Sequence, residues 1–302
     1  DYLKGTPFAE APIVPVSNRA GEGAEAVRAA LARVLEGLPE RRDDQPARLP
    51  IDRVFSVEGF GTVVTGTLWR GTLRPGDRVV LEPPGIETRV RGVQVHNRDV
   101  AEARAGQRTA VALHGVERAR LSRGDWVLRP GSLTPSYMVD ARLHLLAEAA
   151  RPVAQRQRLR FHLGASEVIG RVILLDREEL APGESAVVQF RLEAPLVADR
   201  GDRFVVRTYS PQRAIGGGTV LVPNPEKHRR HDAQALARLE VEEGGGALDR
   251  VAQALAAFPL AASAAAAAAR AALPVLAIRP PPRPPLEPAR RAPQLDGAGF
   301  AP

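Results

Sequence analysis

Apolar and polar positions along the chain fall into two textures. In the first, Val27, Leu31, Val34, Leu35 and Leu38 recur at helical spacing, with Glu22 and Glu25 near the positive N-terminal end. They predict an amphipathic helix that Pro39 closes. Ile13-Val14-Pro15-Val16 ahead of it is apolar throughout and reads as a short strand. Strand, small-residue turn and helix in this order look like the ending of a parallel α/β domain, here residues 1–45.

From residue 46 the period shortens to that of strands. Val54, Phe55 and Val57, then Val63, Val64 and Thr65, flank Gly59-Phe60-Gly61, where the chain must reverse. Glycine takes positive φ there without a Cβ clash. Arg78–Leu81, Arg89–Val95, Thr109–Leu113 and Trp126–Leu128 read as further strands between Gly-rich turns, which predicts a β-barrel over 46–131. Residues 132–225 repeat the texture. Tyr137, Val139, Ala141, Leu143 and Leu145 alternate with Asp140, Arg142 and His144, and Leu159, Phe161 and Leu163 alternate with Arg160 and His162. A Gly-Asp pair at 76, 124 and 201 precedes a strand each time, which points to shared turn chemistry and two barrels in tandem. Past Pro223-Asn224-Pro225 a helix is expected from Asp232 to Glu242, and Gly244-Gly245-Gly246 interrupts it. Leu248, Val251, Leu255 and Phe258 space like another short helix within 226–275, and residues 276–302, rich in Pro and Arg, read as an extended or disordered tail. The expected class is mainly β, with an α/β ending before the two barrels and a helical, partly disordered tail after them.

The charge adds a partner. Lys and Arg number 42 against 35 Asp and Glu, a net +7, and such an excess favours a polyanion, by default nucleic acid. An Arg-rich, Ala-rich composition inherited from a GC-rich coding sequence accounts for the same excess. With no Cys there is no disulfide framework, zinc knuckle or thiol nucleophile. Asp1-Tyr2-Leu3-Lys4 does not open a signal peptide, and the richest apolar run, Ala264 to Leu276, is broken by Arg270 and Pro274, so a cytoplasmic location is expected. The single Met is Met138, and the chain reads as a fragment.

Enzymatic motifs are missing. There is no G-x-x-x-x-G-K-[ST] phosphate loop and no Asn-Lys-x-Asp guanine-reading motif, so the chain as given is not expected to hydrolyse GTP. No Ser sits in a nucleophile elbow, and His228 and His231 have no carboxylate or thiol set to join them on a metal. No catalytic and no metal-binding residue is therefore expected.

The string Ile51-Asp52-Arg53-Val54-Phe55-Ser56-Val57-Glu58-Gly59-Phe60-Gly61-Thr62-Val63-Val64-Thr65-Gly66-Thr67 closely resembles the start of the second domain in the elongation factor Tu superfamily of translational GTPases. Its Ile-Asp-Arg opening looks like the selenocysteine-specific branch. Ala105-Gly106-Gln107-Arg108 is similar to a second motif of that branch. The resemblance implies that Asp52, Arg53 and Arg108 line a pocket for the esterified amino acid. Selenocysteine ionises readily and serine does not, so two guanidiniums would favour the selenolate, while Asp52 would hold the α-amino group or orient an Arg. Ser17-Asn18-Arg19-Ala20-Gly21-Glu22-Gly23 resembles the last guanine-nucleotide motif, which makes Ser17, Asn18 and Arg19 a nucleotide-binding remnant of a truncated GTPase domain. The stretch from Arg200 to Gly218 resembles the end of the third domain, where Arg203, Arg207 and Arg213 are candidates for tRNA phosphate contacts. Pro223 to Arg230 is similar to the junction that leads into a winged-helix extension in this branch.

For the intact protein the resemblance implies GTP and Mg²⁺ as cofactors, though neither is expected to bind well to this fragment. It implies selenocysteyl-tRNA, the ribosome and a selenocysteine-insertion mRNA hairpin as partners. Two alternatives stand beside it: a general elongation or initiation factor, and a non-catalytic double-barrel module that holds RNA without a GTPase.

Overall fold

The computed structural model describes residues 3, 8–38, 44–59, 61–246, 248–250 and 252–253. The helix expected at the start is present as α1, Ala24–Glu36. None of its residues is buried, and Leu31, Val34 and Leu35 are exposed. The strand expected at Ile13–Val16 is not formed. That segment stays outside any ladder, with only an isolated bridge between Ser17 and Glu22 after it, because no neighbouring strand offers a partner among the described residues.

The first β unit contains β1 (Arg48–Pro50), β2 (Arg53–Val57), β3 (Gly61–Thr67), β4 (Thr72–Leu73), β5 (Arg78–Glu82), β6 (Ile86–Val95), β7 (Arg98–Asp99), β8 (Ala103–Arg104), β9 (Arg108–Leu113) and β10 (Trp126–Leu128). Its main ladder runs β1-β10-β5-β6-β9-β3-β2 and does not close on itself. Packing brings β3 against β1 instead: a Cβ on Gly66 would sit on the Pro50 carbonyl and press on the Leu49 side chain. Leu49, Ile51, Val64, Leu81, Val111 and Val127 fill the interior. The β2–β3 hairpin pairs Val57 with Gly61, as the glycine turn implies.

The second unit is a closed barrel, β11-β16-β14-β13-β17-β18. Its strands are β11 (Ser136–Leu145), β12 (Val153–Ala154), β13 (Arg158–Leu163), β14 (Ser166–Leu174), β15 (Glu179–Leu180), β16 (Ser185–Leu196), β17 (Arg203–Thr208) and β18 (Ala214–Val222). Phe161, Phe190 and Phe204 meet at its centre, with ring centroids 4.5–5.5 Å apart. The alternation expected on β11 holds at Val139, Ala141, Leu143 and Leu145, which are buried. It fails at both ends of its polarity. A register shift between Ser136 and Met138 goes with an exposed Tyr137, and Asp140 is fully buried.

The recurrent Gly-Asp turns share one device. The carboxylates of Asp77, Asp125 and Asp202 accept the backbone N–H of Arg74, Ser122 and Asp199 at 2.7, 2.8 and 2.8 Å. Each Asp thereby satisfies a donor that the turn leaves open.

Asp202 does more. Nη1 and Nη2 of Arg48 on β1 donate to its two carboxylate oxygens at 2.7 and 2.6 Å, both side chains being almost wholly buried. The Arg48 guanidinium lies 4.2 Å from the ring centroid of Trp126 and 5.2 Å from that of Trp69. Around this clamp, Val80, Trp126 and Leu128 of the first unit join the apolar core of the second barrel. Arg70 pairs with Asp199, and the Ser166 hydroxyl donates to the Gly124 carbonyl at 2.6 Å, again across the junction. A charged fork inside an apolar, aromatic junction fixes the two units to each other.

The helix after the second barrel is α2, Ala233–Gly244, capped by Asp232, whose carboxylate accepts from the N–H groups of Gln234 and Ala235. Leu239 and Leu236 pack on Ile173, Leu175, Val187 and Leu221 of the barrel wall. The second helical expectation within 226–275 and the tail at 276–302 fall mostly or wholly outside the described residues.

Candidate functional site

Asp52 and Arg53 stand where β2 begins, beside a hollow of about 620 Å³. Val54, Phe55, Arg118, Leu121 and Arg123 complete most of its lining. Arg118 is held by a bond from its Nε–H to the Val54 carbonyl at 3.3 Å. Arg108 arrives from β9, the strand paired to β3, and its guanidinium grips Asp52 with both terminal nitrogens. Thr65 Oγ1 donates to the same carboxylate at 2.9 Å. Both oxygens of the Asp52 carboxylate are thereby engaged by Arg108.

Burial raises the Asp52 pKa, but the hydrogen bonds from Arg108 and Thr65 and the charges of Arg108 and Arg53 outweigh it, leaving the carboxyl below its ordinary value. The Arg108 guanidinium is correspondingly raised by its bond to Asp52. The pair is half wet, with side-chain exposures of 51% for Arg108 and 29% for Asp52, so it orients more than it stabilises. The hollow is thus lined by Arg53, Arg118 and Arg123 beside one carboxylate already occupied by an arginine. Such a surface suits an anion or an acceptor-rich group.

Of the motif residues, Asp52 and Arg53 line the hollow, while Arg108 is outside its lining and joined to it through Asp52; the motifs leave out Arg118 and Arg123. The local signal for these two is weak. Arg123 precedes a Gly-Asp turn, and Arg118 opens a short 3-10 turn, Arg118–Arg120, with no motif around it.

A second basic surface covers the outer wall of the second barrel. Arg203 and Arg207 project from β17 and Arg213 from the turn after it, all exposed and with no carboxylate partner among the described residues. Arg160 faces Arg207 across the ladder. Arg158, Arg171 and Arg191 then occupy directly opposed positions on β13, β14 and β16. Like charges in direct opposition destabilise a sheet. Glu193 binds Arg158 at 2.7 and 2.6 Å and Glu167 binds Arg160, but Arg171 forms no salt bridge among the described residues. Burial, and then the charge of Arg156, push the Arg191 guanidinium below its usual pKa. Tyr209 lies under Arg158 and Arg160 at 4.4 and 5.3 Å and offers an exposed ring between the cations. Cross-strand opposition depends on register, so the sequence alone singles out Arg203, Arg207 and Arg213 and not this row.

Ser17, half-buried, and the exposed Asn18 and Arg19 form a turn ahead of α1. Ser17 Oγ accepts from the Ala20 N–H at 3.1 Å, and the Ser17 N–H donates to Glu22. Among the described residues no group of three His, Cys, Asp or Glu side chains is placed to hold a metal.

Comparison with known proteins identifies the two β units. Residues 61–128 match the family model for elongation factor Tu domain 2, and residues 140–227 match that for the β-barrel domain of selenocysteine-specific elongation factor. A selenocysteine-specific elongation factor of Desulfomicrobium baculatum is 42% identical over 246 residues, which cover 80% of this chain and 39% of that protein. Elongation factor Tu 2 of Streptomyces avermitilis is 36% identical over 220 residues, covering 69% of this chain and 56% of its own. The chain thus spans well under two thirds of the length of either relative. The crystal structure of a bacterial selenocysteine-specific elongation factor, EF-Sec, superposes with a TM-score of 0.66 at 26% identity, covering 78% of this chain and 38% of the other. By sequence and fold alike, the chain is similar to selenocysteine-specific elongation factors, and its residues 140–227 match the β-barrel domain of that family.

Proposed function

We propose that this chain supplies the part of a translation elongation factor that holds selenocysteyl-tRNA, and that the whole protein delivers it to the ribosome in a GTP-dependent manner in the cytoplasm. The observation that carries the reading is the hollow at β2, where Arg53, Arg118 and Arg123 converge beside an Asp52 that holds Arg108 in a fixed pose. In this reading the esterified amino acid enters the hollow. Arg53 and Arg108 attract the selenolate, and Asp52 keeps the Arg108 fork from folding away. Serine, a neutral hydroxyl, gains nothing from either guanidinium and leaves Arg53 without an anion, whereas Arg108 keeps Asp52. Residues 46–131 then serve the amino acid and residues 132–225 the tRNA stem.

The arginines of the barrel wall contact phosphates without reading sequence. An mRNA hairpin, if bound, is the task of the C-terminal extension.

GTP with Mg²⁺ supplies the switch between holding and releasing the tRNA. The residues of this chain fit only its base. The Ser17 turn leaves the Asn18 N–H without an acceptor among the described residues, as a contact to a guanine oxygen requires. No phosphate loop is present in this sequence.

The tRNA-facing half of the reading is tested by the salt dependence of selenocysteyl-tRNA binding to this chain joined to its GTPase domain. Joint replacement of Arg203, Arg207 and Arg213 by Ala is expected to weaken binding and to reduce the log–log salt slope by about one for each phosphate no longer neutralised. An unchanged slope and affinity would remove the barrel wall from the tRNA interface.

A further inference from the structure

The segment between the second barrel and α2 is strapped to the barrel wall around Asp140. Gln189 Nε2 donates to the Asp140 carboxylate at 3.0 Å, and Nε2 of His228 lies 2.6 Å from its other oxygen. The same Gln189 amide reaches the Glu226 carbonyl at 2.8 Å, and the His231 N–H donates to the Leu175 carbonyl at 2.7 Å. Arg230 pairs with Glu178.

One tie differs from the rest. Arg191 donates from Nε to Gln189 Oε1 and from Nη2 to the His228 carbonyl, both at 3.3 Å. It is also the end of the opposed row Arg158, Arg171 and Arg191. A single guanidinium therefore belongs both to the strap and to the basic wall.

We infer that phosphate binding on this arginine row loosens the strap, because Arg191 exchanges its bonds to Gln189 and to the strap carbonyl of His228 for bonds to the phosphate. The inference rests on the proposed RNA-binding role of the wall. Its direction follows from bond strengths. Both existing bonds are long and go to neutral oxygens, whereas guanidinium–phosphate bonds are shorter and roughly twice as strong. Burial and the nearby Arg156 charge disfavour the Arg191 cation where it now stands, so a neighbouring anion relieves it. Arg142–Glu243 and Arg200–Glu242 ion pairs and the Leu239 packing remain, so α2 stays seated while the strap before it gains freedom. Whatever follows α2 is then joined to the barrel by a tether whose stiffness reports whether the wall is occupied.

The test is hydrogen exchange of residues 226–232 in the full chain, with and without a saturating synthetic RNA duplex. Duplex binding is followed separately by anisotropy of a labelled strand. The duplex is expected to speed strap exchange about fivefold, the equivalent of one broken neutral hydrogen bond. Arg191→Ala is expected to exchange fast from the outset and not to respond. Arg191→Lys, which keeps the charge but reaches only one acceptor, is expected to bind the duplex with its strap already fast, and it is the variant to read if Arg191→Ala does not fold. Duplex bound with strap exchange unchanged or slowed overturns this inference alone. No duplex binding at any concentration overturns it together with the RNA-binding role of the wall.

Discussion

Asp202→Ala is expected to destabilise the protein by about 3–5 kcal/mol, since it leaves the Arg48 guanidinium buried and uncompensated. Arg48 is 2% exposed, and its remaining neighbours are the faces of Trp126 and Trp69. A cation–aromatic interaction is worth roughly 0.5–2 kcal/mol and does not replace a carboxylate. The same substitution removes the acceptor of the Asp199 N–H, which loosens the turn that carries the Arg70–Asp199 pair. For a protein of this size the loss corresponds to a fall in melting temperature of roughly 6–20 °C. Pairing Asp202→Ala with Arg48→Met is expected to recover most of it, because the junction around Val80, Trp126 and Leu128 is apolar. Thermal unfolding of the two single variants and the double variant checks this. Equal losses in Asp202→Ala and in the double variant would mean that the clamp is not the main source of the effect.

Phe161→Ala carries a loss of similar size for a different reason. Phe161 is fully buried, stacked on Phe204 at 4.5 Å and edge-on to Phe190 at 4.9 Å. Truncation removes the ring's transfer free energy and leaves a cavity that a closed barrel cannot collapse around, for about 3–5 kcal/mol. Tyr209 provides the contrast. Its ring also touches charged neighbours but is 41% exposed on the wall, so Tyr209→Ala is expected to change stability by no more than about 0.5 kcal/mol. Urea unfolding of both variants separates the two outcomes. A Phe161→Ala loss as small as that of Tyr209→Ala would contradict the packing described for the barrel centre.

Much of this architecture is legible in the sequence where local chemistry decides it. The period-two run at Leu159–Leu163, the apolar strand at Thr109–Leu113, the glycines around residue 60 and the helix expected from Asp232 are each set within a few residues, and each element formed. The Gly-Asp repetition is readable as turn chemistry for the same reason. What distance in the fold decides is not readable. Nothing near Arg48 announces a partner more than a hundred and fifty positions on, and nothing near Asp140 announces His228. A charged residue on a strand reads as solvent-facing, yet Asp140 is held inside by a buried network. Ile13–Val16 fails in the opposite sense, since its pattern is strand-like but a strand needs a partner. At the hollow, Asp52 and Arg53 are found through motifs, as is the Arg108 that grips Asp52 from outside the lining, whereas Arg118 and Arg123 require knowing which loop folds over β2.

Whether the hollow at β2 distinguishes an anion from a hydroxyl is the central question, and one ratio measures it directly. It is the affinity for selenocysteyl-tRNA over that for seryl-tRNA, taken with this chain joined to its GTP-loaded GTPase domain, for the unaltered protein and for Arg108→Ala. The expected result is a preference of about a hundredfold or more for selenocysteyl-tRNA, in line with charge-assisted bonds worth roughly 1.5–3 kcal/mol each, and a ratio that falls by about tenfold or more in Arg108→Ala while Arg53 keeps the remainder. Equal affinities in the unaltered protein, or a preference undiminished by loss of Arg108, would contradict the role given to these arginines.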